Sequence, residues 1–151
     1  MLTIRTVPDP VLRELCAPVS AFDGALAALA WDMLRAMYAA PGRGLAAPQV
    51  GVASRLFVTD VAWKEGAPDP RVFANPEILS VSEEMEEAEE GCLSIPGVPC
   101  LVRRPVAVRL RWQGLDGAGA EDLFEGWAAR CVLHEYDHLD GILCTDRVQA
   151  A

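Results

Sequence analysis

His134-Glu135-Tyr136-Asp137-His138 holds both histidines of the chain and lies inside a helical pattern running from Gly126 to Asp140. Ala128, Cys131, Val132, Tyr136 and Leu139 fall near one another at helical spacing, and Gly141 supplies the stop. On such a helix, positions four apart lie about 40° apart around the axis, so both imidazoles face one point. Glu135 projects about 100° from His134, beside that point rather than on it. This is the H-E-x-x-H arrangement: two neutral nitrogen donors for a metal ion and a carboxylate placed to handle a proton of water.

Upstream of this helix the pattern is strand-like. Val106, Val108, Leu110 and Trp112 alternate with Ala107, Arg109 and Arg111, the signature of a half-buried strand. Gly114–Gly119 reads as a turn leading into a strand over Glu121–Glu125. Arg55–Asp60 is a further strand, and Arg71–Ala74 another that stops at Asn75-Pro76. Gly42-Arg-Gly-Leu-Ala-Ala-Pro-Gln49 reads as irregular. Before it, Asp23 caps a helix with Leu26, Leu29, Met33, Leu34 and Met37 on one face, ended by Pro41-Gly42. Residues 82–90 carry six glutamates in nine positions. Their composition predicts a solvated, self-repelling surface segment, and their periodicity fits helix and strand equally. The expected architecture is α+β: mainly antiparallel strands packed around the C-terminal helix that carries H-E-x-x-H, with an N-terminal helix, in a single domain over residues 1–151.

Composition narrows the function. A chain of 151 residues, 52% hydrophobic and 23% charged, is the size of one soluble domain. It buries roughly two-thirds of its unfolded surface and needs no disulfide to fold. A net charge of −9 argues against a nucleic-acid or anionic-membrane binder. No DNA or membrane partner is therefore expected, and Arg103–Arg104 and Arg109 with Arg111 read as solvated strand edges. The longest apolar run, Ala25–Trp31, falls far short of the roughly 18 residues that span a bilayer. MLTIRTVPDP has no signal-peptide pattern, and five unevenly spaced cysteines suit reduced thiols. The expected compartment is the cytoplasm.

A catalytic centre of this kind needs a third protein ligand and one open position. The pattern H-E-x-x-H-x-x-G-x-x-H is followed as far as Gly141, but Cys144 stands where its third histidine belongs. No glutamate follows Glu135, which removes a downstream carboxylate ligand. A sulfur from elsewhere is the remaining choice, with Cys92 and Cys131 as the candidates. Cys131 lies one turn before His134 and is expected to pack against the site rather than ligate. Cys92 sits in Glu90-Gly-Cys-Leu-Ser-Ile-Pro-Gly97, where glycine and proline bend the backbone.

Three strings then stand in order: Gly42-Arg-Gly-Leu-Ala-Ala-Pro-Gln49, Glu90-Gly-Cys-Leu-Ser94 and His134-Glu-Tyr-Asp-His-Leu-Asp-Gly141. Together they resemble the peptide deformylase family, whose motifs are G-x-G-x-A-A-x-Q, E-G-C-x-S and H-E-x-x-H-x-x-G. The likeness extends to Pro8-Asp-Pro-Val-Leu-Arg13 and covers essentially the whole chain. The resemblance implies a metal-dependent hydrolase that removes the formyl group, as formate, from the N-terminal formylmethionine of nascent polypeptides. It implies Cys92, His134 and His138 as metal ligands and Glu135 as general base and then acid. Gln49, through its amide, and Leu93, through its backbone N–H, would stabilise the oxyanion. Gly42, Arg43, Gly44, Glu90, Gly91 and Trp127 would line the substrate site, with Gly44 and its neighbours pairing with an extended peptide. It also tips residues 82–90 towards a strand, with Glu90 paired to Arg104.

The donor set suits one divalent metal, Zn(2+), Fe(2+), Co(2+) or Ni(2+), and the resemblance favours Fe(2+). The implied partners are N-formylmethionyl peptides and nascent chains at the ribosome. Contact through the C-terminal helical extension of longer members is not expected in a chain ending at Ala151. Arg43, Leu133 and Trp127 depart from residues common in the family, and Arg43 and Trp127 bear on the pocket for the first side chain. Two other readings use the same residues: a different metal-dependent amidase or protease, and a non-catalytic paralogue or closed structural site completed by a second cysteine.

Overall fold

The computed structural model describes residues 2–148. Helix α1, Gly24–Ala39, begins where Asp23 accepts a hydrogen bond from the Leu26 backbone N–H at 3.0 Å. Its apolar positions are spaced so that Leu26, Ala30, Met33, Leu34 and Met37 are buried on one face. That face packs against β1, Gly44–Ala46, and β2, Leu56–Thr59. These strands join β3 (Arg71–Val81), β6 (Ala107–Gln113) and β7 (Gly119–Glu125) in an antiparallel sheet of order β1-β2-β3-β6-β7. A second, two-stranded sheet is formed by β4, Met85–Cys92, and β5, Ile95–Pro105. Helix α2, Gly126–Leu139, packs against strands of both sheets.

The core lies between α2 and the larger sheet. Phe57 and Phe73 stack at 4.7 Å, and Phe73 meets Trp112 and Phe124 at 4.8 and 5.8 Å. Val132, Leu133 and Leu139 of α2 close over them. Each fully buried phenylalanine contributes about 1.5–3 kcal/mol by leaving water. The alternation expected for β6 is present, with Val108 and Leu110 buried and Arg109 and Arg111 exposed. Gly141 ends α2 at φ 72°, and a Cβ there would stand 2.6 Å from the Arg13 carbonyl oxygen. Only glycine fits that turn.

Four sequence expectations need correction. The Gly42–Gln49 segment is not wholly irregular: Gly44, Leu45 and Ala46 pair with Thr59, Val58 and Phe57 as an edge strand. Its three residues are too few to show a period, and its glycines and proline mask it. The strand from Arg71 does not stop at Asn75-Pro76 but continues to Val81. Asn75 takes φ 48° and the register against β6 shifts between Ala74 and Glu77, so Pro76 sits in a bulge where no ladder donor is required. The acidic stretch is solvated except at its end, for Glu90 is buried. Arg104 is no solvated edge either: it is 4% exposed and directed inward.

Candidate metal centre

Two chain segments, α2 and the end of β4, meet at one point. α2 sets His134 and His138 one turn apart with ring centroids 5.1 Å from each other. β4 ends at Cys92, whose Sγ lies 3.5 Å from His138 Nε2. Among the described residues, Cys92, His134 and His138 form a buried group whose ligand atoms all lie within 4.8 Å of one another. Burial, with the charges of His134 and Arg104, pushes His138 well below its ordinary pKa and keeps the ring neutral, as a ligand must be. One sulfur and two imidazoles are a donor set that fits a borderline divalent ion.

The ring of His134 is oriented from behind. Its Nδ1 lies 2.9 Å from Glu90 Oε1, which directs Nε2 towards Cys92 and His138. Glu90 also accepts from Arg104 Nε at 2.5 Å and Nη2 at 3.0 Å, and from Arg130 Nη1 at 2.7 Å. Burial alone would raise the Glu90 carboxyl, but its bonds to His134 and Arg104 prevail and hold it at about 2. Arg104 reaches on to Asp137 at 3.0 Å, which accepts a two-point contact from Arg147 at 2.7 and 2.9 Å. The expected Glu90–Arg104 pair is therefore present, within a larger network.

Glu135 faces the other way. It is 4% exposed, its Oε1 has no hydrogen-bond partner among the described residues, and burial pushes its carboxyl up to about 7. A Cβ placed on Gly44 would stand 2.5 Å from Glu135 Oε2, so the absent side chain is what lets β1 approach this carboxylate. Gln49 is 1% exposed and fixed at both ends of its amide. Oε1 accepts from the Ala46 N–H at 2.9 Å, and Nε2 donates to Ser94 Oγ at 3.1 Å and lies 3.8 Å from Cys92 Sγ.

A cleft of about 1310 Å³ opens over these groups. Gly42, Arg43, Gly44, Glu90, Gly91 and Trp127, the residues expected to meet substrate, all line it. Gln49, Cys92, Leu93, His134 and Glu135 line it as well, while His138 lies deeper, 1% exposed. The Arg43 guanidinium is drawn outward to Glu65 and the Val61 carbonyl, and Trp63 Nε1 donates to the Gly42 carbonyl at 2.9 Å. The segment after β2 thus forms a cleft wall that no sequence motif marked.

The rival sulfurs stand beside the group of Cys92, His134 and His138 but are not part of it. Cys131 Sγ lies 3.5 Å from the Arg43 carbonyl, packed beside the site as expected. Cys144 Sγ lies 2.9 Å from Cys100 Sγ and next to Cys92, outside the group of three that could hold an ion. Sequence reasoning missed Arg130, Asp137, Arg147 and Ser94. Arg130 precedes His134 by one helical turn, a spacing that already placed it on the same face; Ser94 closes the E-G-C-x-S string but was given no role, and Arg147 carried no comparable signal.

An H-E-x-x-H helix, a sulfur ligand and a poised carboxylate beneath a cleft define the metal-dependent hydrolases as this chain's class. The family model described as polypeptide deformylase matches residues 1–151. The peptide deformylase of Afipia carboxidovorans is 50% identical over 143 residues, covering 95% of this chain and 84% of that one. That of Novosphingobium aromaticivorans is 44% identical, covering 96% and 87%. The crystal structure of the Thermotoga maritima peptide deformylase superposes with a TM-score of 0.94 at 43% identity, over 99% of each chain. The chain belongs to the polypeptide deformylase family and is a hydrolase of protein N-terminal processing.

Proposed function

We propose that residues 1–151 act as one catalytic domain that hydrolyses the formamide of N-formylmethionyl peptides and nascent chains, releasing formate. The observation that carries this reading is the placement of Glu135. It is a buried carboxyl with a pKa near that of a working base, against Gly44 of an edge strand and lining the same cleft as Cys92 and His134.

Cys92, His134 and His138 would hold the ion, with Fe(2+) the favoured occupant and Zn(2+), Ni(2+) or Co(2+) served by the same donors. Such an ion supplies Lewis acidity, polarising the formyl oxygen and bringing the pKa of water towards about 7. The peptide backbone lies along β1 as an added strand beside Gly44, and Gly91 supports it from the opposite wall. Glu135 takes the proton of the attacking water and returns it to the departing amine nitrogen. Gln49 Nε2 and the Leu93 N–H donate to the oxygen that gains charge. Arg43 and Trp127 shape the pocket for the first side chain. Nascent chains meet such an enzyme at the ribosome, in the cytoplasm.

The test is anaerobic purification, metal analysis and a formate assay on formyl-Met-Ala. One ion per chain with formate released, and no cleavage of internal peptide bonds, is the expected result. A fully metallated protein that releases no formate overturns it.

A further inference from the structure

We propose that Cys100 and Cys144 are a dithiol that closes to a disulfide clip, a covalent modification joining the two parts of the chain that carry the ligand group. Cys100 lies on β5, opposite Glu90 on the hairpin that delivers Cys92. Cys144 opens the 3-10 turn Cys144–Arg147, a few residues after the histidines of α2. Their sulfurs are 2.9 Å apart, and the residues are 1% and 2% exposed. A disulfide at about 2.05 Å asks the two atoms to close by about 0.9 Å. The backbones already run together, since Val102 of β5 and Val148 form a bridge.

The pairing is selective. Cys16 is directed to the Glu14 carbonyl and Cys131 to that of Arg43. Cys92 is the one further thiol near Cys144, and an ion held by Cys92 removes it from competition. Both thiols of the pair are almost wholly buried, so direct attack on an oxidant is slow. Reaction proceeds through opening of the terminal 3-10 turn, which exposes Cys144 first. With hydrogen peroxide as oxidant, the Cys144 sulfur attacks one peroxide oxygen, the O–O bond breaks and water leaves, giving a sulfenic acid. The Cys100 sulfur then attacks that sulfur, the S–O bond breaks and a second water leaves. Two thiols and one peroxide yield one disulfide and two waters, with two electrons passing from sulfur to oxygen.

The clip closes a loop of about 45 residues that contains β6, β7 and α2. In the chain-entropy account this lowers the unfolding equilibrium constant by up to about a thousand-fold. It also keeps Cys92 and the two histidines adjacent when the ion departs.

The experiment treats the zinc-loaded full chain with hydrogen peroxide, alkylates the remaining thiols in denaturant and digests with chymotrypsin. Cleavage after Leu93, Leu101 and Leu139 separates Cys100 and Cys144 from Cys92 and Cys131. The expected result is a linked Cys100–Cys144 peptide, zinc retained, and a metal-free oxidised protein that unfolds at higher urea than the reduced one. A reductant should reverse the shift, and Cys100→Ala and Cys144→Ala should abolish it. The wild-type comparison decides the matter alone if either variant fails to fold. Alkylation of both thiols after peroxide, a Cys92–Cys144 link with zinc released, or a link without the urea shift would each overturn the proposal. Formate release measured on the reduced sample reports separately on the catalytic reading.

Discussion

Replacing Glu90 by glutamine preserves volume and removes one buried negative charge, and the contacts define what that charge holds. Glu90 receives four hydrogen bonds from three groups: two from Arg104, one from Arg130 and one from His134. A glutamine offers one oxygen, and its NH₂ would be turned towards a guanidinium. Breaking a buried pair by removing one partner costs about 3–5 kcal/mol. Arg104 retains Asp137 at 3.0 Å, and Arg130 retains the Val102 carbonyl at 3.0 Å and the Glu86 carbonyl at 2.7 Å. The cost therefore falls at the low end, about 3 kcal/mol, or about 1.5 M in the urea midpoint of the metal-free protein. The His134 ring also loses the acceptor that aims Nε2, so zinc affinity measured by chelator competition should weaken about 10- to 100-fold. The pH profile gives an independent check. The folded Glu90 carboxyl, at about 2, lies below its ordinary 4.5. Its stabilisation is complete above about 4.5 and lost as pH falls towards about 2, and the glutamine variant should lack this part of the acid limb. A Glu90→Gln protein with an unchanged urea midpoint and unchanged zinc affinity would refute the reasoning.

Three further outcomes are expected. Gln49→Ala should lower formate release about 100- to 1,000-fold, with metal content per chain unchanged; parallel loss of metal would make Gln49 a structural support instead. Gly44→Ala drives a methyl to 2.5 Å from Glu135 Oε2 and 3.0 Å from Cys131 Sγ. Formate release should fall while metal stays bound, and unfolding should show a stability loss of about 1–3 kcal/mol. Gly141→Ala combines φ 72° with a contact of 2.6 Å to the Arg13 carbonyl oxygen. Backbone strain there should cost at least about 1–2 kcal/mol of stability in urea unfolding, without altering metal content.

The helix that carries the histidines was legible because its period, its glycine stop and its paired imidazoles all agree. So was α1, whose cap and apolar face are written in consecutive residues. β6 showed its two faces through simple alternation. What stayed hidden depends on partners distant in sequence. β1 is a strand because β2 lies beside it, and three residues from Gly44 carry no period of their own. β3 continues past Pro76 because Asn75 builds a bulge, held by its side-chain bonds to Val19 and Gln113. Glu90 looks like its neighbours in the acidic run, and only the arrival of Arg104 and Arg130 sets it apart. The grouping of Cys92 with His134 and His138 was within reach of motif reasoning, since the histidine spacing is local in α2 and the cysteine sits in a distinctive bend. Asp137, which anchors Arg104 from behind, and Arg147, which holds Asp137 in turn, gave no such signal.

X-ray absorption on the zinc-substituted protein tests the central claim most directly, because it counts the atoms around the ion. One sulfur at about 2.3 Å with two imidazole nitrogens and one further light atom at about 2.0–2.1 Å is the expected shell, and Cys92→Ser should remove its sulfur while Cys144→Ser should not. Two sulfurs in the shell, or a sulfur that survives Cys92→Ser, would contradict it.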